Sequence, residues 1–115
     1  MPDLNLIVRR AHRSDATWMD AAFDGQLLQR AAYFEDLCLQ QEAGLLALLV
    51  AEQGSQDYAG HLRIHWQASY APFREERVPE IQDLSVLPRL RRQGVASRLL
   101  DAAEDLIRQE AAAGA

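Results

Sequence analysis

The stretch from Glu80 to Leu100, EIQDLSVLPRLRRQGVASRLL, limits the fold more than any other part of this chain. It reads as a short strand, a turn led by Pro88, and an arginine-rich loop containing Gly94 that opens straight into a helix. The first amides of a helix have no partners inside it, and the aligned peptide dipoles add partial positive charge at that end. A phosphate placed there meets free N–H groups, and here guanidinium groups as well. Gly94 permits dihedrals that other residues avoid, and Ala96 keeps the first helical turn thin. The competing reading is an ordinary helix start with solvated arginines. The stretch is neither a P-loop, since the chain has no Lys, nor a dinucleotide fingerprint, since it has one glycine where that motif has three.

The remainder is acidic. Formal net charge is -5 over 115 residues, which argues against nucleic-acid or anionic-membrane binding, both of which want a net basic face. Positive charge gathers at Arg89, Arg91, Arg92 and Arg98. The length suits one domain, residues 1–115, with one core. A single cysteine, Cys38, excludes an intramolecular disulfide and suits a reducing, cytoplasmic compartment. Its place in a helical pattern reads as a small buried hydrophobe. The N-terminus lacks the basic and apolar regions of a signal peptide. The longest apolar run, Leu45 to Ala51, falls far short of the roughly 20 residues that span a bilayer.

Leu4 to Ala11 alternates like a strand, and Ser14 or Asp15 can N-cap a short helix through Trp18 and Met19. Asp24-Gly25 breaks that segment. Leu27, Leu28, Ala31, Ala32, Leu37 and Cys38 recur at helical spacing up to about Gln41, and Gly44 terminates. Leu45 to Gln53 reads as a strand buried on both faces. A turn at Gly54 to Asp57 leads to a second strand, Ala59 to Gln67, in which Leu62, Ile64 and Trp66 alternate with His61, Arg63 and His65. Ala68 to Val78 is a loop with Tyr70, Phe73 and a charge cluster from Arg74 to Arg77. Pro79 to Val86 closes the meander, and a helix follows from Gly94 to about Glu110. Strand, helix, helix, three strands and helix make a mixed α/β (α+β) sheet flanked by helices.

Asp83-Leu-x-Val86-x-Pro88-x-x-Arg91-Arg-x-Gly94-Val-Ala96-x-x-Leu99-Leu100 closely resembles the acetyl-CoA-binding signature of the GNAT superfamily of acyltransferases, and the upstream order of elements matches that family as well. The strand-loop-helix unit at 79–110 would be the signature. The resemblance implies a central, mostly antiparallel sheet and acetyl-CoA as co-substrate. It implies that Leu84, Ser85 and Val86 offer backbone groups to the pantetheine arm and the thioester carbonyl. It also implies that Arg91, Arg92, Gln93, Gly94, Val95, Ala96 and Ser97 wrap the pyrophosphate, mostly through amides. Elementary physics agrees: an extended ligand pairs with a strand edge, and its phosphates end at a helix N-terminus.

Such enzymes are N-acetyltransferases in which an amine attacks the thioester directly while a base takes its proton. The acceptor would be a small-molecule or peptide amine. Glu80 and Asp83 are the base candidates, with Glu80 preferred for its place at the strand start; Asp83 can equally serve an arginine as ion-pair partner. Residues three apart on a regular strand face opposite ways, so at most one is expected to face the cleft. His61 and His65 share a face, but a metal wants a third ligand and none stands at a suitable spacing, so no metal is expected.

The chain departs from the family pattern at its C-terminal end. The family continues with a strand, a helix and a further strand, often with a tyrosine acid, and this sequence is C-terminally truncated against that pattern. The Glu80–Val86 strand would then have an uncovered edge. A natural truncation or fragment, a homodimer whose partner copy completes the sheet, and a degenerate, non-catalytic CoA-binding or interaction module are the competing explanations.

Overall fold

The computed structural model describes residues 6–23, 33–54, 57–66 and 79–112. Leu4, the break at Asp24-Gly25, the helical pattern from Leu27 to Ala32 and the loop of Tyr70, Phe73 and the Arg74–Arg77 cluster lie outside these.

Four strands form one antiparallel sheet in sequence order: β1 (Leu6–Arg10), β2 (Leu46–Gln53), β3 (Tyr58–His65) and β4 (Glu80–Val86). Helices α1 (Ala16–Phe23) and α2 (Tyr33–Glu42) pack on one face, and α3 (Val95–Ala112) packs on the other. The expected α/β (α+β) fold, an antiparallel sheet flanked by helices, is therefore what forms, with β4 as an edge strand among the described residues.

Periodicity explains the layering. Along β2, Leu46, Leu48 and Val50 enter the core under α1 and α2, with Met19, Phe34, Leu37 and Cys38. The intervening Ala47, Leu49 and Ala51 enter the α3 core with Leu62, Ile64, Val95, Leu99 and Ala103. A strand with apolar side chains on both faces must be central, and β2 is. Helix α3 buries Val95, Leu99 and Ala103 and half-buries Leu100, Leu106 and Ile107, the apolar stripe its sequence carries.

The helix ends follow local chemistry. Gly44, at φ 83°, closes α2: Leu45 N–H donates to Gln40 O and Gly44 N–H to Gln41 O, each at 3.0 Å. That is the glycine-terminated cap. At the other end of the pattern the expected cap shifts by a turn. Residues Arg13–Asp15 form a 3₁₀ turn before α1, and the Asp15 carboxylate accepts from His12 N–H at 2.7 Å. Asp15 also accepts from Arg9 at 2.8 and 3.0 Å and from Trp18 Nε1 at 3.1 Å, while Arg9 Nε donates to Glu52 Oε1 at 2.8 Å. This group ties β1, β2 and the start of α1 together. The Arg9 hydrogen bond, above all, holds the Asp15 carboxyl down at about 2. Cys38 is 1% exposed, and burial pushes its thiol up to about 11, which suits packing and not nucleophilic attack. Among the described residues, no helix is long and apolar enough to cross a membrane.

Candidate active site

The site begins at the end of β4. Leu87 N–H donates to Ala59 O at 2.9 Å, the last rung of the β3–β4 ladder. Antiparallel rungs alternate, so Ser85 turns its backbone groups towards His61, its register partner, and Val86 turns its own to the edge that no other described strand covers. Of the three residues expected to offer backbone to a pantetheine arm, Ser85 is thus committed to the ladder. Leu84, 41% exposed, and Val86 remain at the edge.

Leu90 anchors the next segment in the α3 core after the Pro88–Leu90 3₁₀ turn. Arg92 and Gly94 then take φ values of 66° and 87° and reverse the chain into α3. A Cβ on Gly94 would meet nothing within 4 Å, so its need for glycine is conformational and not steric. Gly94 O accepts the first α3 hydrogen bond, from Arg98 N–H at 3.0 Å. Val86, Leu90, Arg91, Arg92, Gly94, Val95, Ala96 and Ser97 line a hollow of about 180 Å³ over the helix N-terminus.

The arginines divide their labour. Arg98 donates to Leu6 O at 3.1 Å and fastens α3 to β1. Arg89 faces Asp57 at 3.8 Å. Arg91 and Arg92 are exposed at the hollow and pair with no carboxylate among the described residues. Gln93 is tied by its amide to Arg89 O at 3.1 Å, and the Val95 side chain is core, so only its backbone can face a ligand. Free helix amides, two available guanidiniums and an adjoining open strand edge fit an elongated ligand that ends in a pyrophosphate.

The other half of the site lies at the middle of β4. The ladder pairs His61 with Ser85 but Arg63 with Gln82, so β4 carries one extra residue opposite Leu62. This bulge is centred on Asp83, whose φ is 57°. An added residue reverses the alternation, and this corrects the expectation that Glu80 and Asp83 face opposite ways. Glu80 is the register partner of His65, so the two share a face. Asp83 Oδ2 lies 3.2 Å from Arg63 on that same face and accepts from Tyr33 OH at 2.6 Å. Both carboxylates therefore sit on the α2 side. Glu80 Oε1 accepts from Gln82 Nε2 at 2.8 Å.

Behind Asp83 stands an aromatic group in which His61 is joined by Tyr33, Phe34 and Tyr58, three residues that no sequence motif marks. Phe34 meets His61 edge-on at 4.9 Å between ring centroids, Tyr33 meets Phe34 at 5.0 Å, and Tyr58 OH lies 2.6 Å from His61 Nδ1. Burial pushes the His61 imidazole down to about 4 and lifts the Tyr58 hydroxyl well above its ordinary range, so the pair is neutral. Gly60 was also missed. It opposes Val86, and a Cβ there would stand 2.5 Å from Ser85 O and 3.3 Å from Leu99 Cδ1. A glycine inside a strand is the available signal for such a close approach.

The Acetyltransferase (GNAT) family model matches residues 7–115. The chain belongs to that family. Among solved structures, the GNAT family N-acetyltransferase YhbS of Escherichia coli, in complex with CoA, is similar at 21% identity and a TM-score of 0.66, over 95% of this chain and 59% of that one. A predicted acetyltransferase of Clostridium acetobutylicum with acetyl-CoA gives 15% identity and 0.61, over 91% and 75%. An aminoglycoside acetyltransferase from an uncultured soil metagenomic sample gives 17% and 0.68, over 95% and 74%. These three proteins and this chain share a fold. The chain thus spans three fifths to three quarters of its structural neighbours' lengths. No curated protein matches the sequence.

Proposed function

We propose that residues 1–115 form one N-acetyltransferase domain, which transfers an acetyl group from acetyl-CoA to the primary amine of a small molecule or peptide. The observation that carries this reading is the continuity of the open β4 edge with the arginine-lined hollow at the start of α3. Neighbours solved with CoA and acetyl-CoA support the choice of co-substrate, and an aminoglycoside acetyltransferase among them supports an amine acceptor. A lone, buried cysteine suits the cytoplasm, the compartment we assign.

The backbone amides of Arg91, Arg92, Gln93, Gly94, Val95, Ala96 and Ser97, with the Arg91 and Arg92 guanidiniums, hold the pyrophosphate. Backbone groups of Leu84 and Val86 hold the arm. The amine nitrogen attacks the thioester carbonyl; an N–C bond forms, the C–S bond breaks, and CoA leaves as the thiolate. Glu80 or Asp83 takes the amine proton, directly or through water. Glu80 is preferred for its place at the start of β4, and Asp83 is held by Tyr33 and Arg63 as an ion-pair and hydrogen-bond partner. The α2-side face, which carries both carboxylates, is then the acceptor side.

Thermal unfolding with acetyl-CoA tests the site. The protein is expected to gain stability, and Gly94→Trp, which strains the turn and fills the hollow, is expected to gain none. No gain by the wild type would sink the reading. Thiol release across a panel of amines then separates enzyme from binder. The second reading, a non-catalytic CoA-binding module completed by a second copy, is favoured by the edge position of β4. It predicts CoA binding, silence across the panel, and a dimer in solution.

A further inference from the structure

Asp83 takes a left-handed backbone without being glycine, in the middle of a strand. Asp tolerates that region better than most residues, but its own preference does not select it, so something outside the strand must. Two side chains from other elements converge on its carboxylate. Tyr33, the first residue of α2, donates to Oδ2 at 2.6 Å, and Arg63 of β3 approaches the same oxygen at 3.2 Å. The Tyr33 ring is itself fixed, edge-on against Phe34 at 5.0 Å and against His61 at 6.5 Å. Phe34 and His61 are 0% and 1% exposed, so the hydroxyl is delivered from a rigid, buried base.

We propose that Tyr33, with Arg63, is a positioning residue that latches Asp83 and thereby holds the β4 bulge in the shape that receives the acyl end of the pantetheine arm. The inference rests on the acetyl-CoA reading above. The bulge falls between the Arg63–Gln82 and His61–Ser85 pairs, next to Leu84. It decides which way the backbone of residues 83 and 84 points and how far the edge stands from β3. The nucleotide end of the ligand lies beyond Val86, at the hollow over the α3 turn lined by Arg91, Arg92 and Gly94, whereas Tyr33 and Arg63 meet β4 at Asp83. Loosening the latch should weaken the arm and leave the nucleotide alone. The latch also joins the acceptor-side helix to the strand that carries the thioester, which makes α2 part of the cofactor's seat.

Titration of the full chain with acetyl-CoA and with adenosine 3′,5′-bisphosphate, which lacks the arm, tests this. Tyr33→Phe keeps the ring and removes the hydroxyl. It is expected to weaken acetyl-CoA about fivefold, the size of one half-exposed hydrogen bond to a charged group, and to leave the bisphosphate unchanged. Arg63→Met is expected to give the same split. In an Asp83→Gly background, where positive φ needs no latch, Tyr33→Phe should change neither affinity. A general loss of structure would weaken both ligands alike and would overturn the latch. So would an unchanged acetyl-CoA affinity, or a fivefold loss that persists in the Asp83→Gly background. Wild-type protein that binds neither ligand overturns the acetyl-CoA reading and the latch with it, whereas wild type that binds both beside an inert Tyr33→Phe overturns the latch alone.

Discussion

Asp83 and Arg92 both take left-handed backbone, at φ 57° and 66°, yet different forces hold them there. Arg92 sits in a turn between a 3₁₀ segment and α3, with Gly94 at 87° two residues on. Its side chain is exposed, and the reversal is set by neighbours in sequence: Leu90 anchored in the core on one side and Val95 on the other. Asp83 sits inside a strand, and its partners Tyr33 and Arg63 come from α2 and β3. One end of the site is shaped locally and the other by tertiary contacts. A pocket for phosphate can be encoded in a short motif, because helix amides supply the chemistry whatever surrounds them. A strand bulge that re-aims Asp83 onto the face of Glu80 needs the rest of the fold to be in place.

Gly60 supports both ends, so a change there should break the comparison outright. Its Cβ would stand 2.5 Å from Ser85 O and 3.3 Å from both Leu99 Cδ1 and Val86 Cα. The first of these is backbone in a paired strand and cannot rotate away. Gly60→Ala is expected to destabilise by about 3 kcal/mol, the upper end of the usual range for overpacking. Acetyl-CoA and adenosine 3′,5′-bisphosphate should both bind more weakly, since β4 and α3 are pushed apart together. Urea unfolding gives the first number and titration the second. An unchanged urea midpoint would mean that β4 yields at this point, and that the two ends are not braced by a common contact.

Acid should separate the ends. His61 lies behind Asp83, packed among Phe34, Tyr33 and Tyr58, with Arg63 and Asp83 as the charges that influence it, and its imidazole stands at about 4 in the folded state. The unfolded chain takes up the His61 proton near pH 6.5, and the folded chain does not until near 4. Stability from this group is therefore complete above 6.5 and is lost as pH falls towards 4. Linkage over the stretch from pH 7 to 5 amounts to about 2 kcal/mol. His65, also pushed down by burial, adds in the same direction. Among the described residues, the hollow at the α3 turn is lined by arginines and carries no histidine. Unfolding free energy should fall between pH 7 and 5 in the wild type, and His61→Gln should flatten most of that slope. Equal slopes in the two proteins would remove His61 as the acid-sensitive prop of the bulge end.

The local and tertiary ends differ in the same way in how far the sequence revealed them. Strand β4, the turn and α3 were readable because each rests on nearest neighbours: apolar alternation, Gly94, and the stripe Val95, Leu99, Ala103. Strand β2 was readable because an apolar run buried on both faces leaves it only a central place. The bulge was not, because nothing in Gln82-Asp83-Leu84 distinguishes an extra residue from a regular one, and a regular strand sends Glu80 and Asp83 to opposite faces. Tyr33 and Phe34 carried no motif, and their role emerges only once α2 lies against β3. Charge clustering grouped Arg98 with Arg91 and Arg92, while its actual partner, Leu6 O, is a carbonyl on the far edge strand. Arg9, Asp15 and Glu52 form a half-buried ionic group whose Arg9–Glu52 link joins residues 43 positions apart, and a separation of that kind leaves no periodic trace.

The smallest expected effect sharpens the comparison most. If the Arg92 turn is shaped by its neighbours, replacing Arg92 should leave its shape intact and change only charge and strain. Arg92→Ala removes the guanidinium and keeps the left-handed penalty; Arg92→Gly removes both. Relief of strain, set against the greater freedom glycine gives the unfolded chain, should make the glycine variant more stable than the alanine variant by about 1 kcal/mol or less. The two should lose affinity for adenosine 3′,5′-bisphosphate equally, since both lose the same charge beside the same amides. A glycine variant that binds the nucleotide markedly less well than the alanine variant would show that the side chain at this position, and not the local chain alone, keeps the turn in place. The turn would then be held as Asp83 is, and the contrast between the two ends would fail.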